Sequence, residues 1–341
     1  MATRITLLCC IGLWMTGCAA TQAPMGQIDP QALAAEQHLQ AEAALRWRNG
    51  QRIRLQSAAY PVLHKANTTY CVNQQRYSLG LMLHQLYLYP EAQQAAAQAI
   101  YGGLKQPEVL HTLPGSISRG RIQPGDQILA INNKPVRPSL PHTLSQLQQA
   151  MADGATVTLK LQRQANVITQ KLKPELICDY PVQLSYSDQV NGYADGQQIT
   201  ITAGMLHFAN DHELALIIAH ELAHNVLQHT RIEIQRLTLA GLLDALLISS
   251  GIPSPGLLMG LAGTTGLETF ELHADRLAIQ LLADTGYELD GLAEFWRRLG
   301  SQYPQSIHSK GIETHPGTAE RYLRVQQQIR RLQSTAAPDN Q

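Results

Sequence analysis

The segment His220-Glu221-Leu222-Ala223-His224 places two histidines four residues apart with a glutamate beside the first. Apolar residues recur around it at helical spacing, and Asn210 followed by Glu213 predicts the N-terminus of that helix. Positions i and i+4 lie on one face of a helix, so both imidazoles can reach the same ion. We therefore expect a metal site here, with Glu221 placed to act as a general base.

A catalytic zinc ion takes three protein ligands and leaves one position open for water. The best source of the third ligand is the segment 268–275, on a predicted helix that continues to Gly286. Glu271 and Asp275 are again four residues apart, so one of them can bind the ion while the other orients a ligand imidazole. The alternative is a helix that carries two surface histidines and no metal.

Two further histidines, His207 and His229, lie close to these elements in the sequence. Nothing in their spacing from the motif predicts that they bind the metal. We therefore expect each of them to be a surface or helix-capping histidine.

These motifs, together with Thr314-His315-Pro316 and Arg321, resemble the gluzincin family of zinc metallopeptidases that contains HtpX, BepA and the CAAX prenyl proteases. The resemblance covers roughly residues 175–325 and the early helices at 31–65. It implies one Zn²⁺ per chain and a role for each matching residue. The implied zinc ligands are His220, His224 and Glu271, with Glu221 as general base, His315 as stabiliser of the tetrahedral intermediate, and Asp275 and Arg321 as supporting residues.

A substrate-binding strand is predicted just before the metal-binding helix. The run 198–202 alternates apolar and polar residues, and the turn-rich segment Asn191-Gly192-Tyr193-Ala194 precedes it. Extended peptides commonly bind by adding a strand to an existing sheet. We expect the strand at 197–203 to hold the substrate in this way, with Asn191, Ile199 and Ile201 as the residues of that site.

The middle of the chain, residues 77–174, alternates short β-like runs with turns and predicts a small α+β module. The stretch 115–132, with Pro124-Gly125-Asp126 at its centre, resembles a bacterial PDZ domain. Domains of this kind add a peptide strand to their own sheet edge. The resemblance implies a carboxylate-binding loop at Ser78-Leu79-Gly80-Leu81 and an envelope-protein partner in its groove. The alternative is a module that only spaces or braces the neighbouring domain.

The N-terminus carries Arg4 and then the apolar run 5–15, which predicts a secretory signal too short to span a bilayer. Met15-Thr16-Gly17-Cys18 resembles a bacterial lipobox. The resemblance implies a signal peptide at 1–17, a lipid anchor on Cys18 and, with Ala19 next to it, an outer-membrane lipoprotein facing the periplasm. An ordinary signal peptide is the alternative.

Removal of residues 1–17 leaves Cys71 and Cys178 as the two unmodified thiols. Thiols tend to pair in an oxidising compartment, so we expect a disulfide between them. Two separately buried cysteines are the alternative.

The remaining segments complete the predicted domain organisation. A polar tether at 18–30 leads into N-terminal helices at 31–70, predicted as two pieces that break at Asn49-Gly50, stop before Pro61 and pack on the catalytic domain. The catalytic domain is expected at 175–333, followed by a disordered tail at 334–341.

An apolar stretch at 237–267 lies between the two metal-binding segments and is interrupted by Asp244, Pro253 and Pro255. Two prolines and a carboxylate argue against a membrane span. We favour a buried helical pair or a flap over the active site. A hairpin that touches a membrane or an outer-membrane partner is the alternative.

The predicted fold class is α+β: a mainly helical zincin catalytic domain with a small β-sheet, plus the α+β PDZ-like module. The 26 basic and 26 acidic residues balance, which excludes a general nucleic-acid binder. The resemblances imply a zinc endopeptidase of the bacterial cell envelope that acts on extended or misfolded envelope proteins. The alternatives are a non-cleaving periplasmic chaperone or scaffold, disfavoured by the intact Glu221, and a small-molecule zinc hydrolase, disfavoured by the PDZ-like module.

Overall fold

The computed structural model describes residues 28–249, 267–308 and 317–336. The chain divides into two compact units, residues 1–40 and 41–341, and the described part of the first is the beginning of helix α1. The predicted signal peptide, the lipidation site Cys18 and His315 lie outside the described residues.

Helix α1 is continuous from Pro30 to Ala66, so the prediction of two helical pieces is wrong. The Asn49 side chain, expected to break the helix, is buried and donates hydrogen bonds to the hydroxyls of Tyr89 (3.2 Å) and Tyr101 (2.9 Å). Pro61 lies inside the helix. Its missing backbone donor is tolerated because the flanking residues Leu55, Ala59, Val62 and Leu63 are buried in the main hydrophobic core.

A six-stranded antiparallel sheet with two helices forms the middle module. Its strand order is β2-β3-β4-β6-β7, with the short β5 paired to β4. The core between the sheet and helix α3 (Leu140–Met151) includes Leu83, Val109, Ile128, Leu147 and Leu159. The elements are β2 (Leu81–His84), α2 (Glu91–Tyr101), β3 (Glu108–Thr112), β4 (Gln127–Ile131), β5 (Lys134–Pro135), α3 (Leu140–Met151), β6 (Val157–Arg163) and β7 (Asn166–Leu172).

The chain enters and leaves this module through a two-stranded ribbon, in which β1 (Gln75–Ser78) pairs antiparallel with β8 (Glu175–Cys178). The predicted disulfide between Cys71 and Cys178 is present, with a Cα–Cα distance of 5.4 Å. It closes a loop with a sequence separation of 107. Chain-entropy models assign roughly 4–5 kcal/mol to a cross-link of that span, so the disulfide fixes the base of the module.

The remaining elements form a helical layer on a three-stranded sheet of order β10-β11-β9. Helix α5 (Asp211–Val226) begins with a complete capping box between Asn210 and Glu213, as the sequence predicts, and packs beside helix α7 (Leu267–Asp284). The strands are β9 (Val182–Ser185), β10 (Gly192–Ala194) and β11 (Ile199–Thr202). The helices are α4 (Ala203–Phe208), α5 (Asp211–Val226), α6 (His229–Ser249), α7 (Leu267–Asp284), α8 (Glu294–Gln302) and α9 (Thr318–Ala336).

The architecture is therefore α+β, as predicted. Helix α9 continues to Ala336, so the tail predicted from residue 334 begins as helix. The described part of the apolar stretch lies in α6, where Leu239, Leu242 and Leu246 are exposed, which contradicts a buried helical pair. A flap over the active site stays a prediction, because residues 250–266 lie outside the described residues. Within the described residues, no helix is both long and apolar enough to cross a bilayer.

Candidate active site

Helices α5 and α7 bring three potential metal ligands together. The Nε2 atoms of His220 and His224 are 3.1 Å apart. The Glu271 carboxylate from α7 approaches both, with Oε1 at 3.2 Å from His224 Nε2 and Oε2 at 3.4 Å from His220 Nε2. Ligand atoms about 2.0–2.1 Å from a tetrahedral zinc ion are about 3.3 Å from one another. The donor set therefore fits zinc and leaves one coordination position for water.

Asp275 and Arg321 both contact the first of these imidazoles, and Arg321 Nη2 lies 3.1 Å from Nδ1 and 3.2 Å from Nε2 of His220. His220 Nδ1 lies 3.0 Å from Asp275 Oδ1, so its N–H can donate to that carboxylate while Nε2 faces the ligand cluster. Arg321 from α9 donates through Nε to Asp275 Oδ2 at 2.9 Å, and its guanidinium lies 3.6 Å from the centre of the Trp296 ring. All four side chains are buried.

This buried charge network shifts the pKa values of its members. Burial acts to raise the pKa of Asp275, but the Arg321 charge and the hydrogen bond from His220 outweigh it and lower the value to about 2. For His220, burial and the Arg321 charge act to lower the pKa. Hydrogen bonds to Asp275 and Glu271 outweigh them and raise it to about 9. Asp275 is therefore a stable anion and a fixed acceptor for His220.

Glu221 is buried beside β10. A β-carbon placed on Gly192, the first residue of that strand, would lie 3.3 Å from Glu221 Oε1 and 3.1 Å from side-chain atoms of Ile201 and Ile217. The absence of a side chain at Gly192 lets the strand approach the Glu221 carboxylate closely. The first residue of β10 therefore lies directly against Glu221.

The prediction that β11 receives the substrate is wrong. β11 is the central strand, paired antiparallel with β10 and parallel with β9, and both Ile199 and Ile201 are fully buried. Asn191 lies just before β10, where its backbone is bonded to Thr202. Among the described strands of this sheet, the edge beside Glu221 belongs to β10.

Two residues of this region were missed or misassigned by sequence reasoning. Asn225 on α5 accepts from the Gly196 amide at 2.7 Å and donates to the Gln198 carbonyl at 3.1 Å, which fixes the turn between β10 and β11. His229 is not a surface residue: it is buried, and its Nδ1 lies 3.1 Å from Nδ1 of His224. His207, by contrast, is exposed.

The electrostatics of His229 differ from those of a capping histidine. Burial and the neighbouring His224 lower the pKa of His229 to about 4. Its ring also stacks on Phe270, with centroids 4.3 Å apart and the planes inclined by 12°. His229 is therefore a neutral, fixed imidazole behind one of the candidate ligands.

Comparison with known proteins assigns the chain to a family. A family model described as peptidase family M48 matches residues 153–329, more than half of the chain, and this range contains His220, His224 and Glu271. The chain belongs to peptidase family M48. As an M48 peptidase it is a metal-dependent hydrolase of peptide bonds. A PDZ domain model matches residues 113–163, so the middle module of this M48 peptidase is a PDZ domain.

Curated relatives match about a third of the chain. The beta-barrel assembly-enhancing protease of Yersinia pestis is 31% identical over 133 residues, which cover 34% of this chain and 27% of that protein. The putative beta-barrel assembly-enhancing protease of Vibrio cholerae is 28% identical over 130 residues, 33% of this chain and 27% of that protein. The chain thus spans about a quarter of the length of these relatives.

One solved structure that resembles the chain is the HtrA3 PDZ domain bound to a phage-derived ligand. It is 23% identical, covers 30% of this chain and 88% of that domain, and has a TM-score of 0.24.

Proposed function

We propose that this M48 peptidase is a zinc-dependent endopeptidase of the bacterial cell envelope that cleaves extended or misfolded envelope proteins. The observation that carries the proposal is the convergence of His220, His224 and Glu271 beside the buried Glu221. In this proposal the three converging residues hold one Zn²⁺ per chain. Zinc, when bound, supplies the positive charge that polarises a peptide carbonyl and lowers the pKa of a water molecule.

The residues around the cluster perform the proton transfers and the positioning. Glu221 accepts a proton from the attacking water and delivers it to the leaving nitrogen. Asp275, held by Arg321, keeps the N–H of His220 on Nδ1 and so directs Nε2 toward the site. His315 is proposed to stabilise the oxyanion of the tetrahedral intermediate.

The edge of β10 is the proposed substrate strand. An extended peptide that adds to this edge forms backbone hydrogen bonds that do not depend on its sequence. Gly192 supports this placement because it brings the strand against Glu221. Such binding favours unfolded or extended segments, since a folded substrate has no free strand of backbone donors and acceptors to offer.

The groove between β2 and α3 is a proposed second binding site, for a peptide segment of an envelope protein. Within the described strands β2 is an edge strand. A cavity of about 740 Å³ lies between it and α3, lined by Leu81, Leu83, Leu144, Leu147 and Met151 among others. The predicted carboxylate-binding loop adjoins this groove, because Ser78, Leu79 and Leu81 are among the residues that line it.

Placement in the cell envelope rests on three supports: the lipobox-like sequence that ends at Cys18, the disulfide between Cys71 and Cys178, and the names of the bacterial relatives. In this proposal a lipid on Cys18 anchors the protein to the outer membrane, facing the periplasm. An oxidising periplasm is consistent with the disulfide.

Removal of the metal tests the proposed chemistry. Treatment of the purified protein with 1,10-phenanthroline followed by dialysis is expected to abolish cleavage of fluorescent casein. One equivalent of Zn²⁺ is expected to restore it, because the site holds one ion. A serine-protease inhibitor serves as control and should have no effect. Casein cleavage that persists after complete metal removal would contradict the proposal.

A further inference from the structure

His229 contacts a candidate zinc ligand from the side opposite to the ligand cluster. The Nε2 atom of His224 faces His220 Nε2 at 3.1 Å and Glu271 Oε1 at 3.2 Å. The Nδ1 atom on the other edge of the same ring faces His229 Nδ1 at 3.1 Å. We propose that His229 is a positioning residue that accepts a hydrogen bond from His224 and fixes the orientation of that ligand. This inference rests on the proposed zinc site.

Metal-binding histidines almost always have such an acceptor. A neutral histidine that binds a metal through Nε2 carries its proton on Nδ1, and a hydrogen bond from that proton fixes both the tautomer and the ring orientation. His220 meets this need with Asp275, at 3.0 Å from Nδ1. His229 is the corresponding group for His224, and it can accept when its own proton is on Nε2. One candidate ligand therefore has an anionic acceptor and the other a neutral one.

The surroundings of His229 hold it in place. The His229 ring stacks on Phe270, and the guanidinium of Arg236 lies 4.9 Å from the centre of the Phe270 ring. Phe270 immediately precedes Glu271 on α7. The same helix therefore supplies one candidate ligand and packs against His229, which contacts another. Residue 229 is also the first residue of α6. The imidazoles of His224 and His229 thus connect helix α5 to the first residue of α6, and α7 contacts both of them.

His229 is not itself a member of the ligand cluster. Among the described residues, the group of side chains whose donor atoms converge consists of His220, His224 and Glu271. The His229 ring meets His224 through the nitrogen that faces away from this group. Its contribution is therefore to orient a ligand rather than to bind the ion.

Two substitutions separate the hydrogen bond from the packing. His229→Phe keeps an aromatic ring to stack on Phe270 but removes the acceptor. His229→Asn loses the ring but keeps an acceptor, because its Oδ1 lies at about the position of Nδ1 along the side chain. His207→Phe is the matched control, since His207 is exposed. The measurement is the zinc dissociation constant of each full-length protein, obtained by competition with a chromophoric chelator at one pH.

The Phe variant is expected to bind zinc about 10–100-fold more weakly than the wild type, the usual loss when the acceptor of a ligand histidine is removed. The Asn variant is expected to stay within about threefold of the wild type, and His207→Phe to be unchanged. Wild-type affinity in the Phe variant, or equal losses in the Phe and Asn variants, would overturn the inference. If the wild type binds no zinc, the proposed function fails and this inference fails with it.

A spectroscopic measurement on the unmutated protein keeps the inference testable if a variant does not fold. In the zinc-loaded wild type, the Nδ1–H proton of His224 is expected to be protected from solvent exchange and to show a nuclear Overhauser contact to the ring of His229. A His224 Nδ1–H proton that exchanges freely would overturn the inference.

Discussion

Replacing Glu271 by glutamine is expected to lower zinc affinity by at least about 100-fold and to reduce casein cleavage below detection. The substitution preserves the shape of the side chain but replaces an anionic ligand by a neutral amide at a buried site. Loss of a supporting hydrogen bond alone costs about 10–100-fold in metal affinity, and loss of the ligand itself costs more. Chelator competition measures the affinity, and circular dichroism checks that the variant is folded.

Glu268→Gln is the matched control for this prediction. Glu268 lies on the same helix, α7, but its side chain is 71% exposed and contacts Arg324 at 3.4 Å on the surface. The same chemical change there should leave zinc affinity and cleavage unchanged. A Glu271→Gln variant that kept wild-type zinc affinity would remove Glu271 from the proposed ligand set.

Replacing Arg321 by methionine is expected to lower the free energy of unfolding by about 3–5 kcal/mol, because it leaves the buried Asp275 without its cation. Arg321 bonds to both carboxylate oxygens of Asp275 and lies 3.6 Å from Glu271 Oε2. Methionine preserves much of the apolar packing against Trp296. The decrease in the free energy of unfolding therefore measures mainly the effect of the missing positive charge. Urea unfolding followed by circular dichroism measures it.

The pH dependence of stability provides a second readout of this pair. In the folded protein the pKa of Asp275 is about 2, below its ordinary value of 3.8. Its contribution to stability is therefore present above about pH 4 and is lost as the pH falls toward 2. Arg321→Met should weaken this dependence of stability on pH.

Arg324→Met is the control for the loss of stability. Arg324 is half-buried and pairs with Glu320 and Glu268, so we expect its replacement to lower the free energy of unfolding by less than about 1 kcal/mol. Equal losses in the two variants would contradict the account.

The features that the sequence predicts well are those fixed by local periodicity. Helical spacing alone places His220 with His224 on one face, and the capping box at Asn210 fixes where that helix begins. The same spacing places Glu271 and Asp275 one turn apart on α7. Nothing in their local sequence specifies that the two helices pack side by side; that expectation came from the need of a catalytic zinc for a third ligand and from the resemblance to a family.

The failures have a common cause in long-range structure. β11 looks like a substrate strand by its alternation, but its central position is set by pairing with β9 and β10. Helix α1 continues past residue 49 because partners 40 and 52 residues away bond to the Asn49 side chain. These contacts exist only after the chain has folded, so no local pattern reports them.

His229 shows the same limit at the active site. In a continuous helix, a residue five positions after His224 would lie roughly 140° around the axis and face elsewhere. The helix instead ends at Val226, and Gln228 adopts a φ of +56°, so the chain leaves the helical path and His229 contacts His224. Spacing along one helix therefore could not identify it.

The most direct test of the central claim compares the wild type with Glu221→Gln for zinc content and casein cleavage in the same preparations. We expect about one zinc per chain in both proteins and cleavage only in the wild type, because Glu221 transfers protons and is not a ligand. Cleavage by Glu221→Gln at the wild-type rate, or a wild type that binds zinc and cleaves nothing, would contradict it.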